Sequence, residues 1–384
     1  MTVETLSPLP SAVLPPGIRS RFVEGVNGLR LHVLEAGEAG RPLVLLIHGF
    51  PEIAYSWRKV MPALAEAGYH VVAPDLRGYG RTATGRIAYD DDLAPYRMHN
   101  HLLDLLCLVS ALGHDRVAGL VGHDFGSWVA GFCALARPDL FGVAVLMSAP
   151  FGGAPAFGAL GRSLQAPADD PIHADLAALP RPREHYHRYY ATRTAAPDMD
   201  ASPQGLHAFL RAYFHHKSAD WPDNRPHPLP GWTAEALAEM PTYYIMDQGR
   251  SMPATVAPEM PADGGVGCPW LTEEELAVYV AEYAWTGFQG PLQGYRCRMD
   301  GSLGRDLARF AGRRIEVPLL FVSGASDWGP FQGPGALERM RDEACTQMLG
   351  CRFIEGAGHW VQQEQPEAVT ELVLDALART APRP

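Results

Sequence analysis

The sequence lacks the features of a membrane protein, of a disulfide-rich secreted domain and of a nucleic-acid-binding protein. No apolar run approaches the roughly 20 residues that span a bilayer, and none of the six cysteines belongs to a CxxC pair. The formal net charge of -11 disfavours non-specific binding to nucleic acids or anionic membranes. We therefore expect no nucleic-acid partner, no membrane association and a reducing, cytoplasmic location.

The N-terminus also lacks the basic residues and the apolar core of a secretion signal. Residues 1–17 are rich in proline, so we expect residues 1–20 to form an extended arm. The scattered cysteines do not have the spacing of a zinc site, and we expect neither a metal nor a cofactor. A chain of 384 residues is long enough for one large α/β domain with an insertion, or for two domains.

Continuous apolar runs alternate with helix-compatible segments over the first 150 residues. The runs Leu43–Ile47, Val117–Val121 and Val143–Met147 are typical of strands that are buried on both faces. Alternating apolar and polar residues on both sides of Asn27 and Gly28 indicate an antiparallel hairpin. This order predicts a mostly parallel sheet with helices on both faces, which is an α/β fold.

The pattern breaks after the sixth predicted strand and returns near residue 315. The segment 151–314 contains helix-like pieces, aromatic clusters and two Pro-rich stretches at 220–230 and 253–269, which we interpret as loops. We therefore predict an N-terminal arm at 1–20, an α/β core formed by 21–150 and 315–384, and a helical cap with long Pro-rich loops at 151–314.

The stretch Gly122-His123-Asp124-Phe125-Gly126 joins a predicted strand to a predicted helix. Glycines two residues before and two residues after a central residue are typical of a nucleophile elbow, where the chain turns sharply and strand and helix pack closely. Most such turns have a central serine, whereas this one has Asp124. The alternative is that Asp124 is an ordinary N-cap of the following helix.

Two further polar residues follow predicted strands later in the chain. Asp327 comes shortly after the run Val317–Ser323, and His359 lies in the turn after Cys351–Ile354. Either residue alone is weak evidence, since an aspartate after a strand is usually a helix cap and a single histidine is usually structural. Functional groups in open α/β sheets gather at the carboxyl ends of the strands. The order nucleophile, acid, histidine therefore favours a catalytic triad.

Taken together, these motifs resemble the epoxide hydrolase family of the α/β-hydrolase fold, in its Asp-nucleophile branch. The resemblance extends from about residue 21 to 378 and is thinnest between 221 and 269. Its motifs are HGFPE at 48–52, PDLRGYG at 74–80, GHDFG at 122–126, GPLQGYR at 290–296 and GAGHWVQQE at 356–364. The resemblance implies an α/β-hydrolase fold and hydrolysis of an epoxide to a vicinal diol with water, without a cofactor.

The expected chemistry follows from the residue types. Asp124 is ionised near neutral pH and can attack a carbon without a base. His359 would then activate the water that hydrolyses the resulting ester, and Asp327 would orient the imidazole. The backbone N–H groups of Phe50 and Phe125 are expected to form the oxyanion hole.

The opening epoxide needs a hydrogen-bond donor, and tyrosine hydroxyls suit this role because they are neutral at pH 7. The resemblance implies that two cap tyrosines supply it. Tyr295 matches one of them, and Tyr186 best matches the other, with Tyr189 and Tyr190 as alternatives. Each of these rings could instead be a core aromatic of the cap.

Two other functions use similar sequences. Haloalkane and haloacid dehalogenases share the Asp-His-Asp triad, but typically have Trp or Arg directly after the nucleophile, whereas Phe125 has no side-chain donor. A ligand-binding protein with this fold would not need a complete triad. The sequence does not identify the epoxide, the stereo- and regioselectivity or the role of the Pro-rich insertion, and homo-oligomer formation stays open.

Overall fold

A computed structural model describes residues 6–380 of the protein. Its central feature is an eight-stranded sheet. A second sheet has two short strands, which in the sequence come between the sixth and seventh strands of the first sheet. The strands, in chain order, are β1 Ile18–Val26, β2 Leu29–Ala36, β3 Leu43–Ile47, β4 His70–Pro74, β5 Val117–His123, β6 Phe141–Met147, β7 Arg183–His185, β8 Ile245–Asp247, β9 Leu319–Gly324 and β10 Met348–Ile354.

The large sheet has the order β1-β2-β4-β3-β5-β6-β9-β10. The hairpin β1–β2 is antiparallel and joins β4 in antiparallel fashion, whereas the pairs from β4 to β10 are parallel. All five residues of β3 are buried, as expected for a strand that is covered by helices on both faces. The α/β fold with a mostly parallel sheet is confirmed.

Helices cover the sheet and fill the segment between β6 and β9. The helices are α1 Met61–Glu66, α2 Met98–Ala111, α3 Phe125–Ala136, α4 Leu160–Ser163, α5 Ile172–Ala177, α6 Tyr186–Tyr190, α7 Ala195–Asp200, α8 Leu206–His216, α9 Ala234–Leu237, α10 Met252–Val256, α11 Glu273–Thr286, α12 Gln289–Met299, α13 Ser302–Ala308, α14 Ala336–Arg339, α15 Val361–Glu364 and α16 Pro366–Thr380. Short 3₁₀ turns lie at Ser11–Val13, Ala54–Trp57, Gly80–Thr82, Ala94–Tyr96, Phe157–Ala159, Pro167–Asp169, Ala257–Glu259 and Gly329–Phe331, and a π-helical turn at Met340–Ala344. No helix within residues 6–380 is long and apolar enough to cross a membrane.

The segment between β6 and β9 differs in two details from the helical cap with long Pro-rich loops that the sequence predicts. It contains the antiparallel pair β7–β8, whose three-residue strands are too short to produce a recognisable alternation. The helix α10 opens the second Pro-rich stretch, with Pro253 in its first turn, where proline needs no hydrogen-bond partner. The first stretch, at 220–230, forms neither helix nor strand.

At the N-terminus, β1 begins at Ile18, inside the segment that was predicted as an arm. Residues 1–5 of that arm lie outside the described residues.

The register of the parallel strands brings several turns to one edge of the sheet. Ile47 at the end of β3 pairs with Gly122 of β5, while Met147 at the end of β6 pairs with His123 and Val322. Because these carboxyl ends are level, the residues that follow each strand meet in one place. That place is where open α/β sheets hold their functional groups.

Candidate active site

The turn between β5 and α3 holds Asp124 in a backbone conformation that side chains rarely adopt. Its φ is 52° and its ψ is -117°, and such residues store roughly 1–3 kcal/mol of strain. The flanking glycines permit the turn, since a Cβ at Gly122 would collide with the carbonyl of Gly126, and one at Gly126 with the carbonyl of Ile47. The Asp124 side chain makes no capping hydrogen bond to α3, so it does not act as an ordinary N-cap.

Each oxygen of the Asp124 carboxylate faces a different group. The backbone N–H of Phe50 donates to Oδ1 at 2.9 Å, and Nε2 of His359 lies 3.4 Å from Oδ2. Burial alone would raise the pKa of Asp124, but the hydrogen bond and charge of His359 hold that pKa well below its usual range. The carboxylate is therefore ionised at neutral pH, with one oxygen held by the backbone.

The other ring nitrogen of His359 faces a buried acid. Nδ1 lies 3.1 Å from Oδ1 of Asp327 and 2.8 Å from the hydroxyl of Ser148. Burial by itself would raise the pKa of Asp327, but His359 and then the hydroxyl of Ser148, which donates to Oδ2 at 2.6 Å, lower it. An ionised acid beside Nδ1 favours the tautomer that leaves Nε2 free to accept a proton.

Backbone N–H groups of the loop that carries His359 donate to the segment between β6 and β9 and to α15. The N–H of His359 donates to the carbonyl of Lys217 at 2.8 Å. The carboxylate of Glu364 accepts from the N–H groups of Gly358 and Trp360, both at 3.0 Å. These bonds fix the imidazole relative to the sheet edge.

A second buried pair lies behind the first. His123 Nδ1 is 2.6 Å from the carboxylate of Glu52, and His123 Nε2 is 2.7 Å from the carbonyl of His359. Burial opposes charge on both groups, but their mutual attraction raises the pKa of His123 and lowers that of Glu52. The side-chain amides of Gln362 and Gln363 also donate to Glu52, at 2.8 and 2.9 Å. Both nitrogens of His123 are thus occupied, and His123 supports the loop instead of acting as a base.

A cavity of about 970 Å³ lies over the sheet edge, and Asp124, Tyr186 and Tyr295 all line it. The two tyrosine rings are 6.1 Å apart. Burial, followed by the charge of Asp124, raises the pKa of both hydroxyls well above its usual value, so both remain protonated. The Tyr186 hydroxyl donates to Gln332 at 3.0 Å, whereas that of Tyr295 makes no hydrogen bond within residues 6–380.

The two alternatives to Tyr186 point elsewhere. The Tyr189 hydroxyl donates to Asp198 at 2.9 Å, and the Tyr190 hydroxyl pairs with that of Tyr213 at 3.0 Å. Neither residue lines the cavity. Tyr186 is therefore the member of this cluster that shares the cavity with Asp124.

The second predicted oxyanion donor, the N–H of Phe125, makes no hydrogen bond to Asp124 in the part of the chain that is described. As the first residue of α3, Phe125 has an N–H without an intrahelical partner. Its ring lines the cavity, 6.4 Å from the ring of Tyr295. No group of three or more His, Cys, Asp or Glu residues in the described range is arranged to hold a metal ion.

Comparison with known proteins gives a consistent result. The profile of the α/β-hydrolase fold family matches residues 42–228. Epoxide hydrolase A of Mycobacterium tuberculosis (strain ATCC 25618 / H37Rv) is 32% identical over 355 residues, which cover 91% of this chain and 95% of that protein. Epoxide hydrolase B of the same strain is 33% identical over 366 residues, covering 93% and 97%. The chain belongs to the epoxide hydrolase family.

Solved structures of other epoxide hydrolases share the fold over nearly the whole chain. That of epoxide hydrolase A from Mycobacterium thermoresistibile has a TM-score of 0.73 and 32% identity, covering 94% of this chain and 98% of that one. An epoxide hydrolase from an endophytic Streptomyces has a TM-score of 0.71 and 31% identity, covering 95% and 98%. The predicted family and fold are confirmed, and the dehalogenase and receptor alternatives are not favoured.

Two polar residues of this epoxide hydrolase site were not identified from the sequence. Ser148 directly follows β6, and its position at the same sheet edge was a usable signal. Lys217 follows α8 and is only 2% exposed; its amine lies 4.9 Å from the ring of Tyr244 and 5.3 Å from that of Trp360. Burial lowers the pKa of Lys217, while Asp124 and Asp327 raise it. No local pattern marks such a residue.

Proposed function

We propose that Asp124 opens an epoxide by forming a covalent ester, and that His359 activates the water that hydrolyses this ester to release a vicinal diol. One observation carries the proposal: the two oxygens of the Asp124 carboxylate face the Phe50 N–H and the His359 imidazole, respectively. The first contact suits an oxyanion donor and the second suits a general base.

In the first half-reaction, Oδ2 of Asp124 attacks an epoxide carbon and the carbon–oxygen bond of the ring breaks. Negative charge develops on the epoxide oxygen, where the hydroxyls of Tyr295 and Tyr186 donate hydrogen bonds and one of them supplies a proton. Their raised pKa values keep these donors protonated until charge appears on the substrate. Replacing Tyr186 by Phe should therefore slow the formation of the ester.

In the second half-reaction, Nε2 of His359 takes a proton from a water molecule, which attacks Cγ of Asp124. The oxyanion on Oδ1 accepts from the N–H groups of Phe50 and Phe125. Losing one such donor typically costs about 3 kcal/mol of transition-state stabilisation. The tetrahedral species then collapses: the bond between Cγ and the former Oδ2 breaks, and the leaving diol oxygen takes the proton from His359. The proton of the new carboxyl group returns to the tyrosine, and the water oxygen remains on Asp124.

This exchange of oxygen gives a direct test. A single turnover in oxygen-18 water should place label in Asp124 and not in the diol, as read by peptide mass spectrometry. The Asp124→Ala variant should be inactive. Label in the diol alone would mean that water attacks the epoxide directly, and the ester mechanism would be wrong. Alkyl halides assayed in parallel should release no halide.

We also propose that the reaction needs no cofactor, because side chains supply its nucleophile, base and donors. The six cysteines are free thiols without CxxC spacing, which supports a cytoplasmic location. The proposed division into core and cap places Tyr186 and Tyr295 on segment 151–314, and Asp124, Asp327 and His359 on the core.

A further inference from the structure

Arg298 lies in the wall of the cavity that contains Asp124. It is partly buried on α12, and its guanidinium carbon lies 3.7 Å from the centre of the Trp128 ring. Burial lowers the pKa of Arg298 to about 10, so the group still carries its charge at neutral pH. Stacking of this kind holds the guanidinium plane and leaves its N–H edges free to bind an anion.

These N–H groups are unpaired in the part of the chain that the structure describes. Within residues 6–380, the Arg298 side chain forms no hydrogen bond and no ion pair. Arg296, two residues earlier on α12, is the contrasting case, because its guanidinium donates to the side chain of Gln293 at 2.8 Å and to the carbonyl of Tyr89. A charged group in a cavity wall is expected to be paired, so Arg298 is available to a ligand.

The charge of the cavity also favours an anion. Four arginines line it against three carboxylates, although the chain as a whole has a net charge of -11. Burial, and then the charge of Arg298, lowers the pKa of the neighbouring His185 to about 3, so that histidine is neutral at pH 7. The four arginines are Arg298, Arg313, Arg314 and Arg339, and the carboxylates are Asp124, Asp170 and Glu343.

Arg298 lies next to Tyr295, one of the groups that are proposed to react with the epoxide, and shares a cavity with Asp124, the other. It follows Tyr295 by three residues on α12, and residues three or four apart on a helix are neighbours, with roughly 5–6 Å between their Cβ atoms. Its stacking partner Trp128 follows Asp124 by four residues, in the first turn of α3. An anion on Arg298 would therefore lie beside Tyr295, in the same cavity as Asp124.

We infer that Arg298, held by Trp128, binds the carboxylate of an epoxide that carries this group only a few bonds from the oxirane. The inference rests on the proposed epoxide hydrolysis and names its substrate class. A carboxylate matches the guanidinium because two parallel N–H groups can donate to its two oxygens. Its single negative charge balances the single charge of Arg298, whereas a phosphate would bring up to two.

The test compares terminal epoxy carboxylates with one to eight methylene groups between oxirane and carboxylate, each assayed beside its methyl ester. The wild-type enzyme should have a higher kcat/KM for the acid than for the ester, most clearly in the shortest compounds. Arg298→Gln should reduce kcat/KM for the short acids by roughly 10- to 150-fold, as expected for a hydrogen bond to a charged group. It should leave the esters nearly unchanged, which shows that the variant is folded and active.

Two further variants sharpen the comparison. Arg298→Lys keeps the charge but not the two-pronged geometry, and should retain part of the preference for the acids. Arg339→Gln removes the same charge from an exposed residue of the cavity and should leave the acid-to-ester ratio near its wild-type value. If Arg298→Gln and Arg339→Gln change the acid-to-ester ratio equally, the preference for acids comes from the overall charge of the cavity, and the inference of a specific carboxylate site at Arg298 is wrong.

Binding of the matching saturated carboxylates, measured by calorimetry, separates this inference from the proposed activity. If Arg298→Gln abolishes their binding while no epoxide is hydrolysed, the subsite stands and the proposed activity is wrong. If the esters are hydrolysed but the wild-type enzyme shows no preference for the acids at any length, the activity stands and the subsite is wrong. A preference for acids that survives Arg298→Gln also refutes it.

Discussion

Replacing His359 by glutamine should separate the two proposed half-reactions. His359 Nε2, 3.4 Å from the nucleophile, is the proposed base for water. The adjacent imidazole of His123 cannot take its place, since its two nitrogens are bonded to Glu52 and to a backbone carbonyl. The variant should therefore lose the full contribution of a general base, about 10²- to 10⁴-fold in the rate of ester hydrolysis, or about 3–5 kcal/mol.

Ester formation should be affected much less by the same change. Without His359 the pKa of Asp124 would rise, because burial raises it, but the charges of Lys217 and His123 still lower it. The Phe50 N–H also still donates to Oδ1, so we expect the carboxylate to stay ionised at pH 7. The alkylation step needs no base, so it should proceed at a similar rate. The ester should consequently accumulate in His359→Gln.

Intact-protein mass spectrometry of samples quenched during a single turnover measures both steps. The mass of His359→Gln should increase by that of one substrate molecule, and this adduct should disappear slowly. The double variant His359→Gln with Asp124→Ala should show no adduct. Turnover by His359→Gln without any adduct would refute the role given to His359. If the substitution slows the formation of the adduct as strongly as its hydrolysis, the histidine also serves the first step.

Three further outcomes are expected. Tyr295→Phe should slow ester formation by about 10- to 150-fold, whereas Tyr190→Phe, whose hydroxyl faces away from the cavity, should not; rapid-quench kinetics would show an error in either. Glu52→Gln should lower the free energy of unfolding by about 1–3 kcal/mol, because it removes the acceptor of a buried, charge-assisted hydrogen bond; urea denaturation that finds less than about 1 kcal/mol contradicts the charged pair. The third change, Glu35→Gln, tests pH dependence. A hydrogen bond from His70 at 2.7 Å lowers the pKa of Glu35 to about 2 from 4.5, so the stabilisation by this carboxylate is present above pH 4.5 and disappears as the pH falls toward 2. The variant should be less stable than the wild type by about 2 kcal/mol at pH 7, and a difference that persists at pH 2 would refute this origin.

Local sequence determined much of the fold. Apolar runs such as Leu43–Ile47 can only be buried on both faces, and the glycines at 122 and 126 allow a strand-to-helix turn that other residues would block. Parallel strands share one carboxyl edge, so the residues after each strand were expected to meet there. The distances between Asp124, His359 and Asp327 agree with that expectation.

The short strands of the segment between β6 and β9 could not be predicted from the sequence pattern. The strands β7 and β8 have three residues each and pair across about 60 positions, so neither shows an alternation by itself. Their stability comes from the partner strand, which is a non-local property.

The choice among the tyrosines of α6 also depends on non-local contacts. Tyr186, Tyr189 and Tyr190 lie within one and a half turns of α6, and the residue type alone does not distinguish them. Packing distinguishes them, because Asp198 and Tyr213 bind the hydroxyls of the latter two, while Tyr186 lines the cavity beside Asp124.

The same is true of the charged groups around the site. Sequence by itself determined that Asp124 stands in a strand-to-helix turn and that Asp327 and His359 follow later strands. Only the tertiary structure decided that Lys217 is buried among aromatic rings and that Arg298 stacks on Trp128 without an acidic partner among residues 6–380. The physical reason is that burial and pairing depend on segments distant in the chain, whereas turns and strands depend on neighbouring residues.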